Sequence, residues 1–253
     1  MKRINALILC WFFCFSQIAF AADALTIAVA ANMKYAFDDL ALAFTKETNI
    51  EVKPIYSSSG KIVSQVKEGA PYDVFLSADM DFPQKLYQDG HAVSAPKIYA
   101  YGKLVIWANN KHLDLQSGLP ALASEAIKKI AIANPKVAPY GEQAIIAIEK
   151  LGLKPSIEPK FVFAENIAQV MQYVESGNVE AGITAKSLVT APEMAGKGQW
   201  VDVPVDIYQP IAQGAVILRY GQANHGDAAR KFYGFLYSEK AREILEKFHY
   251  ALP

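Results

Sequence analysis

Short apolar segments alternate with segments of helical period along most of the chain, and this alternation constrains the fold more than any other feature. The run ALTIAVAA at residues 24–31 is followed by a helical stretch whose apolar face holds Met33, Phe37, Leu40 and Phe44. Two more apolar runs follow, IEVKPIY at residues 50–56 and DVFLSA at residues 73–78. Strands that alternate with helices predict parallel βαβ units and therefore an α/β fold.

The remainder of the chain repeats this pattern and indicates two lobes. Further strands are predicted at residues 101–108, 128–133, 160–164, 180–185 and 214–220, and further helices at residues 141–151, 167–176 and 227–248. The segments YAYGKLVIW and QPIAQGAVIL are apolar, contain glycine and are separated by enough residues for a small domain. We therefore predict that they cross between lobe 1, residues 22–101 and 215–253, and lobe 2, residues 102–214.

The N-terminus has the features of a secretory signal peptide. Lys2 and Arg3 precede an apolar stretch that ends in the small-x-small sequence Ala19-Phe20-Ala21. This stretch is short for a membrane span, and no later segment approaches the roughly 20 apolar residues that a span requires. We predict that residues 1–21 are a signal peptide, cleaved after Ala21, and that the mature protein lies in the periplasm.

Composition excludes several classes of function. Cys10 and Cys14 both lie in the predicted signal, so the mature chain would have no disulfide, no catalytic thiolate and no cysteine metal ligand. The chain has 25 basic and 25 acidic residues, and removal of Lys2 and Arg3 leaves a slight acidic excess. A chain without a basic field is not expected to bind nucleic acid. The four histidines are dispersed and indicate neither a metal site nor a catalytic triad.

The sequence YSSSGK at residues 56–61 admits three interpretations. Ser58 and Lys61 fit the S-x-x-K pattern of serine hydrolases, although the companion S-D-N and K-T-G elements are absent. A phosphate loop is excluded because Ile62 follows Lys61 where Ser or Thr is required. The third interpretation is a helix start, at which Ser58 or Ser59 either caps the helix or helps to bind an anion.

The arrangement of a strand that leads through polar residues into a helix recurs, which favours anion binding over capping alone. Asn32 stands in the capping position after the first strand, and residues 134–141 and 164–167 form two similar junctions. In an open α/β sheet such junctions lie at the carboxyl ends of strands, where ligands bind. Two junctions from each lobe would face one another across a cleft.

Six segments carry a resemblance to a known family: AVAANMKYAFDDL, YSSSGK, EGAPYDVFLSAD, GKLVIWA, ANPKVAPYG and PIAQGAVIL. Together they resemble the periplasmic molybdate-binding proteins of ABC importers over essentially the whole mature chain. The resemblance implies a type II periplasmic binding protein fold, in which two α/β lobes close around a tetrahedral oxyanion. It implies a monomeric, non-enzymatic protein without a cofactor, which binds molybdate or tungstate and delivers it to a permease and ATPase complex in the inner membrane.

The resemblance also implies which residues bind the anion, through hydroxyl and main-chain N–H groups and without a cationic side chain. The matching positions are Asn32, Ser59, Tyr140 and Ile167, with Ser58 as an additional candidate. One position departs from the family, because Ala185 stands where several relatives place a tyrosine hydroxyl on the anion. The Tyr140 hydroxyl is a candidate replacement. The departure leaves another oxyanion, such as chromate or a sulfate-like ion, as an alternative ligand, and a hydrolase using Ser58 and Lys61 as the alternative class.

Overall fold

The computed structural model of the protein describes residues 24–253, so the predicted signal peptide lies outside the described residues. The chain folds into two five-stranded sheets with helices packed against them. The first sheet contains β1 (Leu25–Ala30), β2 (Val52–Ser57), β3 (Val74–Leu76), β4 (Lys97–Gly102) and β10 (Ile211–Ile217), in the order β2-β1-β3-β10-β4. The second contains β5 (Leu104–Ala108), β6 (Ile130–Ala133), β7 (Phe161–Ala164), β8 (Ala181–Ala185) and β9 (Gln199–Asp202), in the order β7-β6-β8-β5-β9.

Nine α-helices occur in the described residues: α1 (Lys34–Thr48), α2 (Ser59–Lys67), α3 (Asp81–Gln88), α4 (Pro139–Lys150), α5 (Lys154–Ile157), α6 (Ile167–Glu175), α7 (Lys186–Val189), α8 (Arg219–Phe235) and α9 (Glu239–Lys247). The apolar face predicted for the first helix is confirmed, because Met33, Phe37, Leu40 and Phe44 are all fully buried. Phe44 packs edge-on against Phe232 of α8, with ring centroids 5.1 Å apart. In the described part of the chain, no helix combines the length and apolar character that a bilayer crossing needs.

The sheets are mixed, whereas the sequence predicts parallel units. The parallel pairs are β1 with β2 and β3, and β6 with β7 and β8. The remaining pairs are antiparallel, and they involve β10 in the first sheet and β5 in the second. Both of these strands follow a crossing from the other lobe, so their direction depends on how the lobes are connected and not on a local βαβ pattern.

The chain crosses between the sheets at two places near the predicted segments. The first crossing is abrupt, because β4 ends at Gly102 and β5 begins at Leu104. The second lies in residues 203–210, between β9 and β10. Strand β10 belongs wholly to the first sheet, so the change of sheet precedes residue 211, while the lobe boundary proposed from sequence falls at 214/215.

The last helical stretch is interrupted. The amphipathic helical stretch predicted from Asp227 to Phe248 contains the end of α8 and a separate helix α9. The Ser238 hydroxyl accepts a hydrogen bond from the Ala241 amide at 3.2 Å and so caps α9. Serine competes for backbone hydrogen bonds and favours a helix start, which explains the break.

Candidate functional site

The four predicted strand-to-helix junctions meet at one pocket between the two sheets. The pocket is nearly closed, with a cavity volume of about 10 Å³, and its lining includes Asn32, Ser58, Ser59, Tyr140 and Ile167. Each of these five residues is at least 95 % buried. The first three come from the lobe built on the first sheet and the other two from the lobe built on the second sheet. The structure therefore brings all the predicted site residues together, and their roles toward a ligand remain predictions.

The two serines of the YSSSGK segment have different hydrogen bonds. The Ser59 hydroxyl oxygen accepts from the Ala78 amide at 3.0 Å, which leaves its own proton free to be donated. Ser58 occupies the N-cap position of α2 but makes no capping bond, and its buried hydroxyl has no partner. Buried hydroxyls are almost always paired, so the Ser58 hydroxyl is an unused donor at the pocket wall. Capping alone therefore does not explain either serine.

Two helices of the second lobe direct their first turns at the pocket. Ile167 is the first residue of α6, and Tyr140 is the second residue of α4, which starts at Pro139. Amides in the first turn of a helix have no acceptor within the helix and lie at the positive end of its dipole. Asn166 caps α6, accepting from the Gln169 amide at 3.1 Å, and this bond fixes the entry of the chain into the helix. Both helix starts can therefore donate main-chain hydrogen bonds to an anion.

Asn32 does not cap the first helix, contrary to the expectation from sequence. It lies in a 3₁₀ turn at Ala31–Met33, and α1 begins only at Lys34. The Asn32 side-chain nitrogen donates to Gln213 Oε1 and to the Tyr250 hydroxyl, each at 2.9 Å. Its side-chain oxygen is buried without a partner. Tertiary contacts from residues far along the chain override the local capping preference of asparagine.

The Tyr140 hydroxyl is directed to the crossing between the lobes. It accepts a hydrogen bond from Gln213 Nε2 at 3.0 Å, and a Cβ atom added at Gly102 would lie only 1.9 Å from it. Burial raises the pKa of Tyr140 well above its ordinary value, so the hydroxyl keeps its proton. Gly102 is thus required by the close approach of a tyrosine. At the position of the family tyrosine, Ala185 is fully buried and pairs with Leu104.

Two contacts join the lobes at the edge of the pocket. The Gly60 amide donates to the Val137 carbonyl at 2.9 Å, and Lys61 Nζ lies 2.6 Å from Glu165 Oε1. Both groups of the ion pair are about half exposed, so the pair contributes little to stability by itself. Lys61 is paired with Glu165 and makes no bond to Ser58, which argues against a hydrolase in which Lys61 activates Ser58.

The side chains that line the pocket are uncharged. Among the described residues that line it, none is Lys, Arg, His, Asp or Glu. Within residues 24–253, no group of three or more His, Cys, Asp and Glu side chains is arranged to hold a metal ion. The pocket therefore presents neutral groups to a ligand, and its buried side-chain atoms without a partner are the Ser58 hydroxyl and Asn32 Oδ1.

Three residues near the site were missed by sequence reasoning. Gln213 and Tyr250 bind the Asn32 side chain, and the Ser187 hydroxyl donates to the Asn32 carbonyl at 3.0 Å. They lie 181, 218 and 155 positions along the chain from Asn32. Of the three, only Gln213 was indicated by the sequence, because it is a single polar residue within the apolar strand IAQGAVI.

Comparison with known proteins places the chain among solute-binding proteins. The family model "Bacterial extracellular solute-binding protein" matches residues 25–251. The molybdate-binding protein ModA of Azotobacter vinelandii is 39% identical over 239 residues, which covers 93% of both chains. The corresponding protein of Rhodobacter capsulatus is 38% identical over 232 residues, which covers 91% of this chain and 89% of the relative.

Solved structures show the same architecture. The periplasmic molybdate-binding protein of Azotobacter vinelandii superimposes with a TM-score of 0.84 at 32% sequence identity, covering 90% of this chain and 99% of that one. The sulfate-binding protein SubI of Mycobacterium tuberculosis superimposes with a TM-score of 0.74 at 15% identity, covering 90% of this chain and 86% of that one. The second likeness concerns the fold alone.

Proposed function

The chain belongs to the family of bacterial extracellular solute-binding proteins, and from this premise we propose that it captures molybdate in the periplasm for an ABC importer. The observation that carries the proposal is the convergence of four strand-to-helix junctions on one buried pocket lined by neutral groups. The names of the relatives at 38–39% identity supply the choice of molybdate.

The proposed ligand groups are hydroxyls and main-chain amides. Ser59 donates its free hydroxyl proton, Ser58 adds a second hydroxyl, and the amides of Asn32, Tyr140 and Ile167 complete the set. A dianion loses its water shell only if many dipoles replace that water, and hydrogen bonds to a charged partner are roughly twice as strong as neutral ones. The positive ends of two helix dipoles add to this stabilisation. A neutral pocket can therefore hold a doubly charged anion without a lysine or arginine.

Selectivity follows from protonation and size. Hydrogen phosphate carries a proton, and wherever the groups that face it all donate, that proton has no acceptor, at a cost of about 1–3 kcal/mol. Sulfate lacks the proton, so it is rejected only if it is too small to reach donors of both lobes at once. Tungstate has nearly the same size and charge as molybdate and is expected to bind similarly.

The hydrogen bond between the Gly60 amide and the Val137 carbonyl joins the two lobes. In this closed arrangement, with the anion bound, the protein would be recognised by a membrane permease and its ATPase.

Calorimetric titration of the mature protein tests the proposal. Molybdate and tungstate should bind with one site per chain, and phosphate should bind about 5–150-fold more weakly. Replacement of Ser59 by alanine should weaken molybdate binding about ten-fold or more, the effect of losing one hydrogen bond to a charged partner. Absence of heat with molybdate and tungstate at micromolar protein would refute the choice of ligand. Heat with chromate or sulfate alone would transfer the site to that oxyanion.

A further inference from the structure

The side-chain amides of Asn32 and Gln213 form a buried pair beside the pocket. Asn32 is 1% exposed and Gln213 is fully buried. Asn32 Nδ2 donates to Gln213 Oε1, which also accepts from the Tyr99 hydroxyl at 2.9 Å. Gln213 Nε2 donates to the Tyr140 hydroxyl, which comes from the opposite lobe. Every polar atom of the Gln213 side chain is therefore bonded within the protein.

This arrangement gives Asn32 the wrong polarity for an anion. Both hydrogens of its side-chain amide are used, one by Gln213 and one by Tyr250. The atom left over is Oδ1, which is buried, has no partner and belongs to a residue that lines the pocket. A carbonyl oxygen repels an oxyanion that carries no proton, and it would accept a bond from one that does.

Both amides keep the same partners, with donor and acceptor exchanged, if both rotate by half a turn. Gln213 Nε2 would then donate to Asn32 Oδ1 and to the Tyr99 hydroxyl, whose proton has a second acceptor in the Ser77 carbonyl 3.0 Å away. Gln213 Oε1 would accept from the Tyr140 hydroxyl. Asn32 Nδ2 would be released to the pocket.

The surrounding hydroxyls can follow this reversal. The Tyr250 hydroxyl now donates to the Asn32 carbonyl at 3.0 Å and would donate to Oδ1 instead. The carbonyl keeps its bond from Ser187 at 3.0 Å, so it stays satisfied. Burial raises the pKa values of Tyr99, Tyr140 and Tyr250, so all three hydroxyls retain the protons that they must reorient.

We propose that Gln213 is a positioning residue that sets the polarity of Asn32 toward the ligand through a coupled reversal of the two amides. In one state Asn32 Nδ2 faces the oxyanion as a donor, and in the other state Oδ1 faces the pocket. The inference rests on the proposed function, since it concerns how that site receives its ligand. The reversal affects selectivity. With Asn32 Nδ2 toward the pocket the site favours a fully deprotonated anion, whereas with Oδ1 toward the pocket it offers an acceptor to hydrogen phosphate.

The contact between Gln213 and Tyr140 joins the amide pair to the second lobe. Gln213 belongs to the first lobe and Tyr140 to the second, so Gln213 has this partner only when the lobes are together. In the reversed state the Tyr140 hydroxyl donates to Gln213 Oε1. This bond replaces the hydrogen bond that the hydroxyl accepted from Gln213 Nε2. Because Gln213 is bonded to Tyr140 in both states, closure holds the Gln213 side chain at the site, and the charge of the ligand selects the donor state of Asn32.

A double-mutant cycle tests the inference. Gln213→Met keeps the length of an unbranched side chain but removes the amide, and Asn32→Ser supplies a hydroxyl donor that does not depend on Gln213. Molybdate affinity is measured by calorimetry for the wild type, both single variants and the double variant, and denaturant unfolding is measured for all four. Gln213→Met should weaken molybdate binding roughly ten-fold in the wild-type background. In the Asn32→Ser background it should change binding by less than about two-fold.

Equal losses in both backgrounds would overturn the inference, because a merely structural role of Gln213 acts regardless of residue 32. Absence of molybdate binding by the wild type would instead refute the proposed function, so the two failures are distinguishable. A measurement on the unmodified protein avoids dependence on the folding of the variants. In ¹⁵N-labelled wild type, molybdate should shift the side-chain amide resonances of both Asn32 and Gln213, since both exchange partners. Shifts confined to Asn32, with Gln213 unchanged, would also overturn the inference.

Discussion

The adjacent residues Ser58 and Ser59 give a prediction in which stability and binding respond differently. Ser58 is 3% exposed and its hydroxyl has no partner, and a buried hydroxyl without a hydrogen bond costs about 1–3 kcal/mol. Ser58→Ala should therefore stabilise the free protein, by about 1 kcal/mol. Ser59→Ala should destabilise it by about 1–3 kcal/mol, because the buried Ala78 amide loses its acceptor.

Both variants should bind molybdate more weakly, by about 1.5–3 kcal/mol each, because each loses a donor to a charged ligand. The free proteins are compared by thermal unfolding, in which 1 kcal/mol corresponds to about 2–4 °C for a chain of this size. Affinities are compared by calorimetry. The expected pattern is a higher Tm for Ser58→Ala, a lower Tm for Ser59→Ala and weaker binding for both. A lower Tm for Ser58→Ala with unchanged affinity would refute the reasoning, because Ser58 would then be a structural residue and not an unused donor.

Three further predictions concern Asp79, Gly102 and the interlobe ion pair. Burial raises the pKa of Asp79 to about 6, so the folded state loses stability as pH rises through that value. Asp79→Asn should therefore stabilise the protein by up to about 3 kcal/mol at pH 8 and have little effect at pH 4, as measured by urea unfolding. Gly102→Ala should destabilise by about 1–3 kcal/mol or more in the same assay, because its Cβ meets the Tyr140 hydroxyl, and Tyr140→Phe should restore part of the loss. Glu165→Gln should weaken molybdate binding less than about five-fold at low salt and have no effect at 1 M salt, because the ion pair of Glu165 with Lys61 is exposed and is screened by salt. An effect that persists at high salt would contradict an electrostatic origin in this ion pair.

The local parts of the fold could be predicted from sequence because their causes are local. The period of Phe37, Leu40 and Phe44 marks one buried helix face, and short apolar runs mark the buried strands. The directions of β5 and β10 could not be predicted, because they depend on how the chain returns from the other lobe. The break before α9 had a signal in Ser238, which a helical pattern read over a long window obscures.

The position of the candidate pocket was predictable for a similar reason. Ser59, Tyr140 and Ile167 each lie at the start of a helix that follows a parallel strand, and the carboxyl ends of such strands meet at one edge of a sheet. The environment of Asn32 was not predictable, because Gln213 and Tyr250 reach it from distant parts of the chain. No local sequence pattern indicates whether a distant glutamine bonds to the nitrogen or to the oxygen of an asparagine side chain.

The most direct test of the account is a crystal structure of the mature protein grown with molybdate, with anomalous scattering used to locate molybdenum. The account predicts one strong peak per chain in the pocket between the lobes, with its oxygens within hydrogen-bonding distance of Asn32, Ser59, Tyr140 and Ile167. Molybdenum bound elsewhere, or in the pocket but in contact with a lysine or arginine side chain, would contradict the claim that neutral donors alone replace the water around the anion.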